Sequence, residues 1–360
     1  MTKPSRPTLS TVLEKIKRII PSIKRIFSGS TKETAVVTGI DTTTSPADKY
    51  TTDDLVLGNF KKHVFIAPAF NNDKKLVPKL DYYIYETAST PKRPSTKDMP
   101  LVVMLHGCTQ NANAFAEGTQ MNRLAQQEGF VVLYPQQRIS YNIGKCWRWY
   151  NLDESQGLAE AHTIMKLIQS TISMYELDPN KVFIAGMSAG AGMASLIAAT
   201  YPNEIQAIGL HSGPALAIAK DMKSGVSLLK NGFDDSDQKS IANLEKFTQQ
   251  KPHKTPTIII QGVEDDVVHI SNLEALTKQF LYLNSLEISA KGSVTQHLVG
   301  TDKEYSQTEY KHEQKTIVEV LKVKHLGHAW SGGDEQYPFH SEKGPQASRI
   351  FWDFFQKSMQ

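Results

Sequence analysis

Five short apolar runs limit what this chain can fold into. They are LVVMLHG at 101–107, FVVLYP from Phe130, VFIAG from Val182, IQAIGLH from Ile205 and TPTIIIQG from Thr255. A strand with one face in water alternates apolar and polar residues. A strand covered on both faces is apolar throughout, as most of these runs are. Helix-like stretches separate them: residues 113–128, the segment GLAEAHTIMKLIQSTISMY, and MASLIAATYP, which ends before Pro202. In the second of these, Ala161, Ile164, Leu167, Ile168 and Ile172 recur at helical spacing. Strand and helix alternating over short connections predict an α/β fold, a mostly parallel sheet with helices on both faces. HVFIAPAF and LDYYIYET read as opening strands, and residues 305–325 as a late hairpin. Ligands bind such sheets beyond the carboxyl ends of the strands, so the residues that follow each run carry the chemistry.

VFIAG runs directly into Gly186-Met187-Ser188-Ala189-Gly190 and then into a helix. Gly-x-Ser-x-Gly is common by chance, but between a buried strand and a helix it describes a nucleophile elbow. The bend lifts the Ser188 hydroxyl above the sheet at a helix amino terminus, where backbone N–H groups favour developing negative charge. A serine hydroxyl needs a base. The elbow architecture expects an acid and then a histidine, each just after a later strand. TPTIIIQG is followed by Glu264, Asp265 and Asp266, and VLKVKHLGHAWSGG holds His328 in a glycine-rich loop. Of the 11 histidines, His328 is therefore the expected base. His325 reads as a strand residue and His106 as one that orders its loop. The oxyanion hole is expected from the N–H groups of Ala189 and Cys108, the latter in the loop after LVVML. This chemistry requires no cofactor and no metal. The two cysteines, Cys108 and Cys146, show no CxxC spacing. They read either as one bridge or as two buried thiols.

Taken together, HGCTQNANAFAEGTQMNRLAQQEGFVVLYPQQ, CWRWY, GMSAGAGMASLIAATYP, QGVEDDVVHISN and GHAWSGG resemble the polyhydroxybutyrate-depolymerase-type esterases. That group has the α/β-hydrolase fold and is similar to feruloyl and acetylxylan esterases. The resemblance covers about residues 65–355. It implies hydrolysis of carboxylic esters, of hydroxyalkanoate oligomers or polymer, with a feruloyl or acetylxylan type of carbohydrate esterase as the alternative. It matches Ser188 to the nucleophile and His328 to the histidine, and it selects Asp265 over Asp266 through the G-x-x-D-x-x-V setting of Gly262 and Val268. It also implies a Cys108–Cys146 disulfide that pins the oxyanion loop. It sets Trp147, Trp149 and Tyr150 at the mouth of the cleft, with Trp330 of GHAWSGG, as an apolar wall for substrate. Relatives of this kind point to the extracellular region.

The resemblance leaves residues 1–60 unexplained. Residues 9–27 place Leu9, Val12, Leu13, Ile16, Ile19, Ile20, Ile23 and Phe27 at helical spacing among lysines and arginines. This predicts a basic amphipathic helix, kinked at Pro21, that can lie on a membrane or granule surface or dock on its own domain. It lacks the uninterrupted apolar core of a secretory signal, so a cytoplasmic protein is the alternative. A Thr- and Ser-rich linker follows to residue 60, the esterase domain is expected over 61–360, and residues 215–255 read as a cap. A net charge of +3 over 360 residues gives no argument for a nucleic-acid partner.

Overall fold

The computed structural model describes residues 58–67, 79–90, 93, 95–142, 144–154, 156–234, 239–249 and 254–359, all within the unit Leu55–Gln360. The basic segment 9–27 and the polar stretch that follows it to residue 57 lie outside the described residues.

Ten strands form one sheet: β1 (Asn59–Ile66), β2 (Lys79–Glu86), β3 (Leu101–Leu105), β4 (Val131–Gln136), β5 (Val182–Met187), β6 (Ala207–His211), β7 (Thr257–Gly262), β8 (Ser293–His297), β9 (Tyr305–His312) and β10 (Lys315–Val323). Their order is β1-β2-β4-β3-β5-β6-β7-β10-β9-β8. The central run from β4 to β10 is parallel, and the outer strands pair antiparallel. The expected hairpin is present as β9 and β10. Eight helices lie in the described residues: α1 (Ala112–Thr119), α2 (Met121–Glu128), α3 (Gly157–Tyr175), α4 (Ala189–Thr200), α5 (Met222–Asn231), α6 (Lys239–Thr248), α7 (Ser271–Leu283) and α8 (Ala347–Ser358). The short strands β11 (Trp330–Ser331) and β12 (His340–Ser341) pair parallel.

The apolar runs behave as strands covered on both sides. In β3, Leu101, Val103 and Leu105 join the core beneath α3, α4 and α7, while Val102 and Met104 join the core beneath α1, α2 and α8. In β5 the division repeats, with Val182 and Ile184 on one side and Phe183, Ala185 and Met187 on the other. Successive side chains of a strand point to opposite faces, so only a wholly apolar segment satisfies both layers. Each Leu, Ile or Val buried in this way contributes about 1.5–3 kcal/mol relative to exposure.

Residues 113–128 do not form the single helix that their composition suggests. The helix breaks at Gln120, whose φ of 56° is left-handed. The carbonyls freed at the break are taken up from the far end of the chain. Asp334 N–H donates to Gly118 O at 2.8 Å, and Ser348 Oγ donates to Thr119 O at 2.6 Å. A tertiary contact more than 200 residues away therefore sets a local boundary.

Candidate active site

β5 ends at Met187, and Ser188 turns the chain into α4 with φ 55° and ψ −120°. A non-glycine residue in that region is strained, and such strain is usual at an elbow of this kind. The turn works only because its neighbours lack side chains. A Cβ on Gly186 would lie 2.4 Å from the Gly190 carbonyl, and one on Gly190 would lie 2.0 Å from Leu105 O. Ser188 N–H donates to His211 O at 2.9 Å, which fixes the bend against the end of β6.

Asp265 and His328 meet across the ends of the neighbouring strands β7 and β10. His328 Nδ1 lies 2.9 Å from Asp265 Oδ2 and 3.1 Å from Oδ1. A carboxylate can only accept, so Nδ1 carries a proton, and in the neutral imidazole Nε2 is then the nitrogen with the free lone pair. Asp265 Oδ1 also accepts from the N–H groups of Val267 at 3.0 Å and Val268 at 2.8 Å. Burial alone would raise this carboxyl, but the His328 charge, the imidazole hydrogen bond and the two amides together hold it below the ordinary aspartate range. Asp266 next to it is exposed. His325 lies just past β10, half exposed, 3.4 Å from Glu264. The hydrogen bonds of the described residues do not include one between Ser188 Oγ and His328.

The loop after β3 is tied by several hydrogen bonds and a disulfide. His106 Nδ1 donates to Gly107 O at 2.8 Å, and its Nε2 accepts the Gln137 N–H at 3.1 Å. Burial pushes this histidine down to about 4, so it is neutral and serves as a brace. Gly107 N–H donates to Gln110 Oε1 at 2.7 Å, and Gln110 Nε2 donates onward to Pro338 O at 3.3 Å. Thr109 N–H donates to Gly144 O, and Cys108 is disulfide-bonded to Cys146 with Cα atoms 4.2 Å apart. Among the described residues, no hydrogen bond engages the N–H of Cys108 or of Ala189. Gln110 was not singled out in the sequence. Its signal was the longest of three amide side chains, Gln110, Asn111 and Asn113, in the stretch after the cysteine.

The tryptophans correct the expectation of an apolar wall. Trp147 is 1 % exposed and donates its Nε1–H to His106 O at 3.1 Å. Trp330 is fully buried, stacked on His211 and bonded to Ser348 Oγ. Trp149 is 2 % exposed in a small cluster with Tyr150, Ala189 and Leu228. All three brace the site from within, because the apolar area of an indole is worth more in a core than in an open cleft. His211 is buried with them, its ring stacked on Trp330 and its Nε2 accepting the Ser331 N–H at 3.2 Å. Its signal was its position at the end of a strand, in GLHSG. Among the described residues, no group of three or more His, Cys, Asp or Glu is placed to hold a metal ion, and no helix is long and apolar enough to cross a membrane.

A mostly parallel sheet with a strand-elbow-helix at its centre, and an acid and a histidine at later strand ends, defines an α/β-hydrolase. An acetyl xylan esterase from Aspergillus awamori shares this fold, with a TM-score of 0.61 over 75% of this chain and 94% of that one, at 20% identity. The chain belongs to the esterase PHB depolymerase family, which matches it over residues 82–305. The poly(3-hydroxyalkanoate) depolymerase C of Paucimonas lemoignei is 36% identical over 136 residues, 38% of this chain and 33% of that protein. The probable acetylxylan esterase A of Neosartorya fischeri is 38% identical over 133 residues, 36% of this chain and 34% of that protein. The chain thus spans about a third of the length of these relatives.

Proposed function

We propose that the protein is a serine esterase that hydrolyses hydroxyalkanoate esters, oligomeric or polymeric, through an acyl-enzyme on Ser188. The observation that carries this reading is the Asp265–His328 hydrogen bond, made at strand ends beside the elbow. His328 Nε2 takes the proton of Ser188 Oγ as that oxygen attacks the ester carbonyl. Asp265 keeps Nδ1 protonated and stabilises the imidazolium that forms. The N–H groups of Cys108 and Ala189 receive the oxyanion. The tetrahedral intermediate collapses to an acyl-serine and an alcohol, to which His328 returns the proton. Water, activated by the same imidazole, then releases the acid. The contact between Ser188 and His328 closes with substrate bound, as catalytic hydrogen bonds of empty sites often do. The helices α5 and α6, within the stretch 215–255 expected as a cap, serve as that cap. Leu228 of α5 supports that role by packing in the cluster that holds Ala189.

Ser188→Ala tests the assignment. The variant should remain folded and lose hydrolysis of short p-nitrophenyl esters, and unchanged turnover would refute it. The second reading, a carbohydrate esterase, is favoured by the acetylxylan esterase relative and the Aspergillus awamori neighbour. Comparing 3-hydroxybutyrate oligomers with acetylated xylan as substrates separates the two.

A further inference from the structure

We propose that His211 is a positioning residue that holds the His328 loop in register with the nucleophile. The inference rests on the serine-esterase reading above and extends it to a second histidine. His211 ends β6, the strand that separates the elbow strand β5 from β7. It makes three contacts that converge on the site. Its carbonyl accepts the Ser188 N–H at 2.9 Å. Its ring Nε2 accepts the Ser331 N–H at 3.2 Å. Its ring face stacks on Trp330 with centroids 5.2 Å apart. One residue therefore grips both the nucleophile and the segment two to three residues beyond His328.

The other tethers of that loop lie elsewhere. Glu264 N–H donates to Leu326 O at 3.0 Å upstream of His328, and Trp330 N–H donates to Phe339 O at 2.8 Å downstream. Among the hydrogen bonds of the described residues, those of His211 link this loop to the serine bend, with Ser331 N–H on its ring and Ser188 N–H on its carbonyl. The ring must be neutral with its proton on Nδ1, so that Nε2 can accept. Nδ1 lies 3.2 Å from Ser212 Oγ, which accepts the hydrogen bond of that N–H. Burial, reinforced by repulsion from His328 whenever that ring is charged, pushes His211 down to about 3, so it does not protonate where the site works. His211 touches no reacting atom and acts through His328. Misplacing a catalytic group by about 1 Å costs about 100-fold in rate, which sets the upper scale of the loss expected when this anchor is removed.

Three variants test this in the full chain: His211→Leu, His211→Gln and His211→Asn. The Gln side chain carries an acceptor about as far as Nε2 does. Asn reaches only about to Nδ1, and Leu offers no acceptor. With a short p-nitrophenyl ester, kcat should fall about 10- to 100-fold in the Leu and Asn variants, with KM within about threefold, and should recover to within about threefold in the Gln variant. The rate of labelling of Ser188 by a fluorophosphonate should follow kcat. Equal kcat in the Asn and Gln variants overturns the proposal, as does a folded Leu variant of wild-type kcat. If the Leu variant does not fold, the Asn–Gln comparison decides. Ser188→Ala, assayed alongside, keeps the outcomes distinct. Activity remaining there defeats the esterase reading itself, whereas a dead Ser188→Ala with fully active His211 variants defeats only the positioning role.

Discussion

Gly190→Ala is the sharpest test of the elbow. A Cβ at this position would lie 2.0 Å from Leu105 O, 2.6 Å from Leu105 C and 2.7 Å from His106 O, whereas ordinary contact begins at 3.4 Å. Relief therefore requires a displacement of 3.4 − 2.0 = 1.4 Å, and every atom in the way is backbone. Core side chains that can rotate absorb such overpacking at about 1–3 kcal/mol, so a rigid strand end places this variant at about 3 kcal/mol or above. At about 2 °C per kcal/mol, the melting temperature should fall by about 6 °C or more. The displaced atoms belong to the segment that leads into Cys108, so the gap between the Cys108 and Ala189 amides should open by more than 1 Å. Turnover should then fall about 100-fold beyond any loss of folded protein. Gly300→Ala is the control. It has φ +82° with nothing within 4 Å, so it should cost about 1–2 kcal/mol in backbone strain and leave kcat unchanged. Thermal melts and p-nitrophenyl ester kinetics on both variants suffice. A Gly190→Ala protein that melts and turns over like the wild type would show that α4 does not press on β3 as described.

Asp265→Asn removes the charge that fixes the His328 tautomer, and kcat should drop about 10⁴-fold with the melting curve little changed, as steady-state kinetics would report. Glu319 is buried in β10 with Gln307 Nε2 donating to its Oε1 at 2.9 Å, and burial followed by the Glu309 and Asp353 charges outweighs Lys357 to push it up from 4.5 to about 7. An acid raised in the folded state binds its proton more tightly there than when unfolded. Stability is therefore lost as pH rises from 4.5 to about 7, and Glu319→Gln should gain roughly 3 kcal/mol at about pH 8 and almost nothing at about pH 4 in denaturant titrations. Asp265 has the opposite sign: its lowered pKa adds stability above the ordinary aspartate value of 3.8, and that stability is lost as pH falls below it. Replacing Cys108 and Cys146 with alanine opens a loop of 38 residues, worth about 4 kcal/mol in the chain-entropy treatment; denaturant melts should show it, with a roughly tenfold lower kcat/KM as the Cys108 amide loosens.

The parts of the site that were legible in the sequence share one property: each is marked by a short motif at a strand end. Gly186 and Gly190 flank Ser188 because the bend excludes side chains, and although it is Leu105 of β3 that crowds Gly190, the pattern itself fits within five residues. Asp265 and His328 each follow an apolar run, and β-strands place their ends together whatever lies between. The tryptophans were not legible in this way, because Trp147, Trp149 and Trp330 would show the same pattern in a cleft wall or a core. The break at Gln120 was hidden for a different reason: its partners, Asp334 and Ser348, are supplied by the loop between β11 and β12 and by the last helix. Gln110 and His211 were missed because each is placed by a hydrogen bond to a distant loop, Gln110 donating to Pro338 O and His211 accepting from Ser331 N–H.

The hydrogen bonds that assemble this centre join residues 63, 120 and 228 positions apart along the polypeptide. Loop closure over such spans comes late in folding, after local helices and turns have formed. A nascent chain still short of residue 328 has its nucleophile but no proton acceptor, and a fragment ending before Pro338 lacks the last clasp on the oxyanion loop. The reactive serine is thus armed only when the final strands dock, so a half-made or clipped copy should be chemically silent.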